Sequence, residues 1–185
     1  MKKLLFAAVA VIAFGSANAQ ETKFGAKAGL NMSNLTGDVE DNSMKVGFHI
    51  GGFVNIGISE KFSVQPELLY NTGGAKFTGG STNLSYLSIP VMAQYNITEE
   101  FSLEAGPQIG FLMSANDKAD GGGSVDIKDS LNSTDFGLNL GLGYDVAENI
   151  NIGLRYTIGM SNILKDSGDI KIGTSNLGLS LAYTF

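Results

Sequence analysis

A two-residue alternation of apolar and polar side chains, repeated in eight segments, constrains this chain more than any other feature. The first segment sets Phe24, Ala26, Ala28, Leu30 and Met32 against Gly25, Lys27, Gly29, Asn31 and Ser33. The same phase recurs from Val46 to Ile56, Phe62 to Tyr70, Leu87 to Tyr95 and Phe101 to Met113. It returns from Phe136 to Val146, Ile150 to Met160 and Leu177 to Phe185. Gly52 with Phe53, and Met92 on the polar side, depart from it. Side chains alternate faces along a strand and recur near every 3.6 residues on a helix, so the pattern predicts strands. The fold class is all-β.

Short and long connections take turns. Ile58-Ser59-Glu60, Thr98-Glu99-Glu100 and Ala147-Glu148-Asn149 are tight, while Asn34–Met44, Thr72–Asn83, Ser114–Thr134 and Ile163–Thr174 read as long polar loops. Tight turns at one end and long loops at the other predict an eight-stranded antiparallel up-and-down transmembrane β-barrel. An even strand number places both termini at the tight-turn, periplasmic end. A soluble ligand-binding barrel also alternates, with its apolar face inward. Here the polar face is built of Gly, Ser, Thr and Asn with sparse charge, a poor coat for water and a good lining for a narrow lumen. Tyr70, Tyr95, Phe101, Tyr144, Tyr156, Tyr183 and Phe185 fall on the apolar face, mostly near strand ends, as interfacial girdles do.

The amino terminus agrees with that compartment. Met1-Lys2-Lys3, the apolar run Leu4–Phe14 and Ala17-Asn18-Ala19 have the order of a secretory signal peptide. The run is too short to span a bilayer as a helix. Residues 1–19 are therefore expected to be a signal peptide cleaved between Ala19 and Gln20, and residues 20–185 to form one outer-membrane barrel domain. The chain has no cysteine, which excludes a disulfide scaffold. Losing Lys2 and Lys3 reduces the 12 basic residues to 10 against 18 acidic ones. An acidic surface of this kind excludes nucleic acid as a partner, since phosphate neutralisation needs clustered Lys and Arg.

The stretches Lys27–Asn31, Gln65–Tyr70, Tyr86–Val91, Glu104–Gln108 and Gly153–Tyr156 are spread over the whole mature chain. In their order and spacing the chain resembles the small outer-membrane β-barrel family common in Bacteroidetes. That family is a PorT-like "porin family" domain with the barrel architecture of OmpX and OmpA. The resemblance implies a fold and a location, with no shared catalytic activity. The end of the chain, with Tyr183 and Phe185, resembles the carboxy-terminal signal by which the barrel-assembly machinery recognises its clients.

Four charges share the inward phase. Lys27, Glu67, Glu104 and Arg155 each lie four to six residues above the tight-turn end of the first, third, fifth and seventh strands. Strands running in one direction with a common rise place them at similar depth. An eight-stranded barrel leaves room only for side chains to fill, so these groups are expected to meet. Arg155 is the single arginine, and its guanidinium fork suits two carboxylates. The cluster reads as a structural plug; a paired-carboxylate catalytic site or proton path is the alternative. His49, Gln65, Gln94, Gln108, Asn139 and Asp145 are expected to line the lumen with it.

A lipid-modifying enzyme would set its histidine beside a serine and an acid near the lipid-facing rim, whereas His49, the only histidine, has the inward phase. No metal site or cofactor is expected: the acidic loops lack the ligand spacing of known calcium loops. Those loops are expected to be solvated and mobile. The expected role is a structural or surface-interaction barrel with a largely plugged lumen, touching outer-membrane lipid, lipopolysaccharide or a surface partner. A narrow channel is the alternative, and a lipid-modifying enzyme the less favoured one.

Overall fold

The computed structural model describes residues 22–165 and 168–185; residues 1–19 and the Ala19–Gln20 junction lie outside them. Strands β1 (Thr22–Gly37), β2 (Asn42–Gly57), β3 (Phe62–Phe77), β4 (Gly80–Asn96) and β5 (Phe101–Ala119) follow one another as antiparallel neighbours. A three-residue strand β6 (Ser124–Asp126) and one 3-10 turn (Lys128–Ser130) precede β7 (Thr134–Ala147), β8 (Ile150–Gly159) and β9 (Ile172–Thr184). β9 pairs antiparallel with β1, from Gly25↔Thr184 to Gly37↔Ile172, and closes eight strands into a barrel. The ninth strand, β6, stays outside the ring and pairs only with β5. Closure leaves no unpaired strand edge facing lipid, which a bilayer requires.

The alternation turns this ring into a lipid-facing surface. Leu30, Ile50, Leu68, Leu140, Leu154 and Leu181 are all exposed on its outside. An apolar surface of this extent is foreign to a soluble monomer. Along β7 the outward residues run from Phe136 to Val146, about 33 Å of strand. At the usual tilt of roughly 40° that spans about 25 Å, the height of a membrane band. At the tight-turn end Phe62 stands opposite Tyr95, and Phe101 opposite Tyr144. Tyr183 meets Phe185 edge to face there as well. These aromatic rings, with the tyrosine hydroxyls among them, mark one interface of the band.

At the other end the structure departs from the sequence expectation. Two of the four expected long loops are mostly strand. β1 runs to Gly37 and β2 begins at Asn42; β3 and β4 are joined by Thr78-Gly79 alone, with Gly79 in the left-handed region that this tight turn needs (φ 87°). Above the membrane band the polarity of the sheet inverts. The outward face becomes Thr72, Lys76, Ser81, Asn83 and Lys118, and the inward face becomes Leu35, Ala75, Leu84, Leu112 and Ala115. In water an apolar interior is the favoured arrangement, so the same strands continue with the opposite sense.

Parts of the two longest acidic loops fold back onto the barrel. Leu131 and Ile163, from the two longest connections, enter this apolar core at 4% and 3% exposure. The two loops are stitched together by a Leu131↔Leu164 bridge, by Asn132 Nδ2 donating to the carbonyls of Asn162 and Leu164 (2.9 Å each), and by Lys165 N–H donating to Ser130 O. An expectation based on charge density missed them because the few apolar residues that anchor a loop are diluted by many acidic neighbours. The result is an apolar cap over the loop end of the barrel.

Tight curvature depends on backbone contact in places. A Cβ on Gly106 would fall on the carbonyl oxygen of Val91 in the adjoining β4. Gly106→Ala is therefore expected to cost about 1–3 kcal/mol, because neither backbone can yield without breaking ladder bonds. Urea titration of refolded protein checks this, and a variant within about 0.5 kcal/mol of the parent would refute it.

Candidate functional site

The four inward charges converge in one cluster across the lumen. Lys27 Nζ donates to Glu67 Oε1 at 2.7 Å. Arg155 grips Glu67 with both ends of its fork, Nη1 to Oε2 at 2.7 Å and Nη2 to Oε1 at 2.9 Å. Its Nη2 also reaches Glu104 Oε2 at 2.7 Å. The strands make room for these long side chains by placing the smallest residues beside them. Lys27 is flanked by Gly51 and Ala182, and Arg155 by Gly141 and Gly178. Two cations and two carboxylates make the cluster neutral. Burial of such groups is tolerable only when each is paired and hydrogen-bonded, as they are here.

The hub is Glu67 rather than Arg155. Its side chain has no solvent exposure and accepts from Lys27, from Arg155 and from Gln65 Nε2 at 2.8 Å. Below the charges lies an amide layer. Gln94 Nε2 donates to Glu104 Oε1 at 2.8 Å, and Asn55 Nδ2 donates to Gln94 Oε1, Gln65 Oε1 and Ser63 Oγ. Above them His49 Nδ1 lies 2.8 Å from Asn31 Oδ1. Asn139 donates to Gly106 O and Gln108 Oε1 and accepts from Thr157 Oγ1. Asp145 is the outlier: it has the inward phase but sits exposed at the tight-turn rim, bonded to Asn151 Nδ2. Strand phase specifies a face and cannot tell mid-barrel from mouth.

Asn31, Asn55 and Phe53 belong to this lining and were not singled out from the sequence. The break at Gly52-Phe53 was the available signal. Phe53 turns its ring inward beneath Lys27 Nζ, 5.6 Å from the ring centre, where it adds a cation–π contact. Phe185 holds its strand end through a bond from its N–H to Phe24 O. Among the described residues no group of three or more His, Cys, Asp and Glu side chains is placed to hold a metal ion.

A closed eight-strand ring with an apolar exterior, aromatic interface and charged, side-chain-filled lumen defines an integral outer-membrane β-barrel. The family model described as outer membrane protein beta-barrel domain matches residues 18–165, and the chain belongs to that family. Among solved structures it is similar to Neisserial surface protein A, at 14% identity and a TM-score of 0.62, covering 90% of this chain and 100% of that one. It is also similar to Ail, the attachment invasion locus protein of Yersinia pestis, in complex with the heparin analogue sucrose octasulfate. There the identity is 17% and the TM-score 0.56, with 90% and 100% covered. No curated protein matches the chain. At these identities the structural likeness concerns the fold alone.

Proposed function

We propose that this protein is a closed, non-catalytic outer-membrane barrel of the PorT-like Bacteroidetes type that works through its loop end at the cell surface. The tight turns and both termini then face the periplasm, residues 1–19 serve as a cleaved signal peptide, and the Tyr183–Phe185 end is read by the barrel-assembly machinery. The observation that carries the reading is closure at two depths: the salt-bridged plug around Glu67 and Arg155, and the apolar cap containing Leu131 and Ile163. A solute crossing the barrel would have to break a buried ion cluster and also open an apolar core.

The non-catalytic reading is supported by the placement of His49, whose Nδ1 is committed to Asn31 inside the lumen. The surface role is supported by the rigid strand extensions. Lys76 and Lys118 both stand beside Ser81 on their outward face, just beyond the membrane band. That row has the charge and position to meet lipopolysaccharide phosphates, and the sucrose octasulfate complex of Ail shows a sulfated ligand on a barrel of similar fold. Planar-bilayer recording of the refolded protein tests closure. The expected trace has no steady openings; reproducible unitary conductance would establish the narrow-channel alternative instead.

A further inference from the structure

We propose that the lumen holds a site for a small monovalent cation, inorganic or a primary ammonium, in a chamber between the plug and the cap. The chamber is a cavity of about 80 Å³ whose walls include Tyr86, Gln108, Asp135, Thr157 and Asn176. Its floor is shared with a smaller cavity bordered by Lys27, His49 and Arg155. Its roof is formed by Leu35 and Leu84 of the apolar cap.

Four residues lining this chamber each carry a buried oxygen without a hydrogen-bond partner: Asn34 Oδ1, Tyr86 Oη, Asp135 Oδ1 and Asn176 Oδ1. Neighbours orient the groups on Asn176, Asp135 and Tyr86. Asn31 Nδ2 donates to the carbonyls of Phe48 and Thr72, so Asn31 Oδ1 is an acceptor. Asn176 must then turn its Nδ2 toward that atom, at 3.3 Å, which leaves its own Oδ1 facing the chamber. Asp135 Oδ2 accepts from Thr174 Oγ1 at 3.0 Å, which leaves Oδ1 free. Tyr86 packs against the cap and lines the chamber, with its hydroxyl buried. Gly110, directly across from Asp135, keeps the space between these groups open: a Cβ there would lie 3.3 Å from the Tyr86 ring.

The chemistry of the guest follows from this inventory. Three of the four atoms can only accept, and the Tyr86 hydroxyl can accept. Asp135 is the only charged residue among those lining the chamber. Lys27 and Arg155, which border the adjoining cavity, are already committed to Glu67 and Glu104. Buried polar atoms in native proteins are satisfied, by an unseen water or ion when no side chain does so. Water can supply donors but brings no counter-charge to Asp135 when its carboxyl is ionised. One carboxylate is too few for a calcium site, which recruits several hard oxygen ligands. A single positive charge, bare or carried on N–H donors, meets both needs.

Thermal unfolding of the purified protein in zwitterionic micelles tests the site, at equal ionic strength in chlorides of sodium, potassium, methylammonium or tetramethylammonium. Tetramethylammonium has no N–H donor and is the reference. At least one small cation is expected to raise the apparent melting temperature by about 3 °C or more over that reference. The alkali arms and the methylammonium arm tell an inorganic ion from an amine. The increment should vanish in Asp135→Asn and shrink in Tyr86→Phe, which keeps the ring in the cap. Equal melting in all four salts would mean a chamber of water only and would overturn the proposal, as would an increment that survives Asp135→Asn. Should Asp135→Asn fail to fold, an undiminished increment in Tyr86→Phe overturns it.

Discussion

Refolded protein carrying Arg155→Leu is expected to lose about 3–5 kcal/mol of unfolding free energy, the usual consequence of removing one partner from a buried ion cluster. Three bonds disappear together, two to Glu67 and one to Glu104. Lys27 still holds Glu67, but Glu104 retains only the Gln94 amide, and its charge remains inside the barrel. Leucine fills part of the volume without offering a donor. The loss should exceed that of Glu104→Gln, which keeps an acceptor for Arg155 and leaves the Lys27–Glu67–Arg155 chain intact. Denaturant titration in micelles measures both variants. An Arg155→Leu protein within about 1 kcal/mol of the parent would show that the lumen reorganises freely, and would remove the plug as a stabilising element.

The second large effect belongs to the cap. Leu131→Ala removes most of a side chain that is almost wholly buried where two loops meet, and such truncations cost about 2–5 kcal/mol. Because the cap lies outside the membrane band, that energy is taken from local opening of the loops rather than from the barrel. At one factor of ten per 1.4 kcal/mol, the open population should rise roughly 30-fold or more. Lys128 and Lys165 flank the stitched segment and are the natural trypsin sites: Lys165 N–H bonds to Ser130 O, and Lys128 Nζ donates to Met113 O. Limited trypsinolysis should therefore cut after these lysines much faster in the variant, while the membrane band resists digestion as before. Unchanged cleavage kinetics would show that Leu131 does not hold the loops.

The two effects are separable because the plug and the cap obey opposite rules. Inside the membrane band the exterior is lipid, so apolar side chains turn outward and the remaining polar ones must satisfy each other within a narrow lumen. Beyond the band the exterior is water, and the apolar set turns inward. Leu35 shares the inward phase of Lys27 and Asn31, and Leu84 and Tyr86 share that of Ser88 and Gln94. Apolar residues that continue a polar phase toward the loop end, such as Leu35 and the Leu84–Tyr86 pair, mark this inversion in the chain itself, whereas an isolated one such as Met92 lies within the band.

Much was determined by the sequence alone. Period two specifies strands and their faces because consecutive strand side chains point in opposite directions, a local fact that needs no partner. The alternation of tight and loose connections specifies an up-and-down order, and the shared phase and depth of Lys27, Glu67, Glu104 and Arg155 bring them to one level of the lumen. Tertiary structure alone decided what depends on distance along the strand and across the barrel. It made Glu67 the hub, left Asp145 at the rim and folded acidic loops over Leu131 and Ile163. It also left one oxygen on each of Asn34, Tyr86, Asp135 and Asn176 without a partner around one chamber. Those outcomes rest on shear and closure, which set residues far apart in the chain side by side, and no local pattern encodes which pairs will meet.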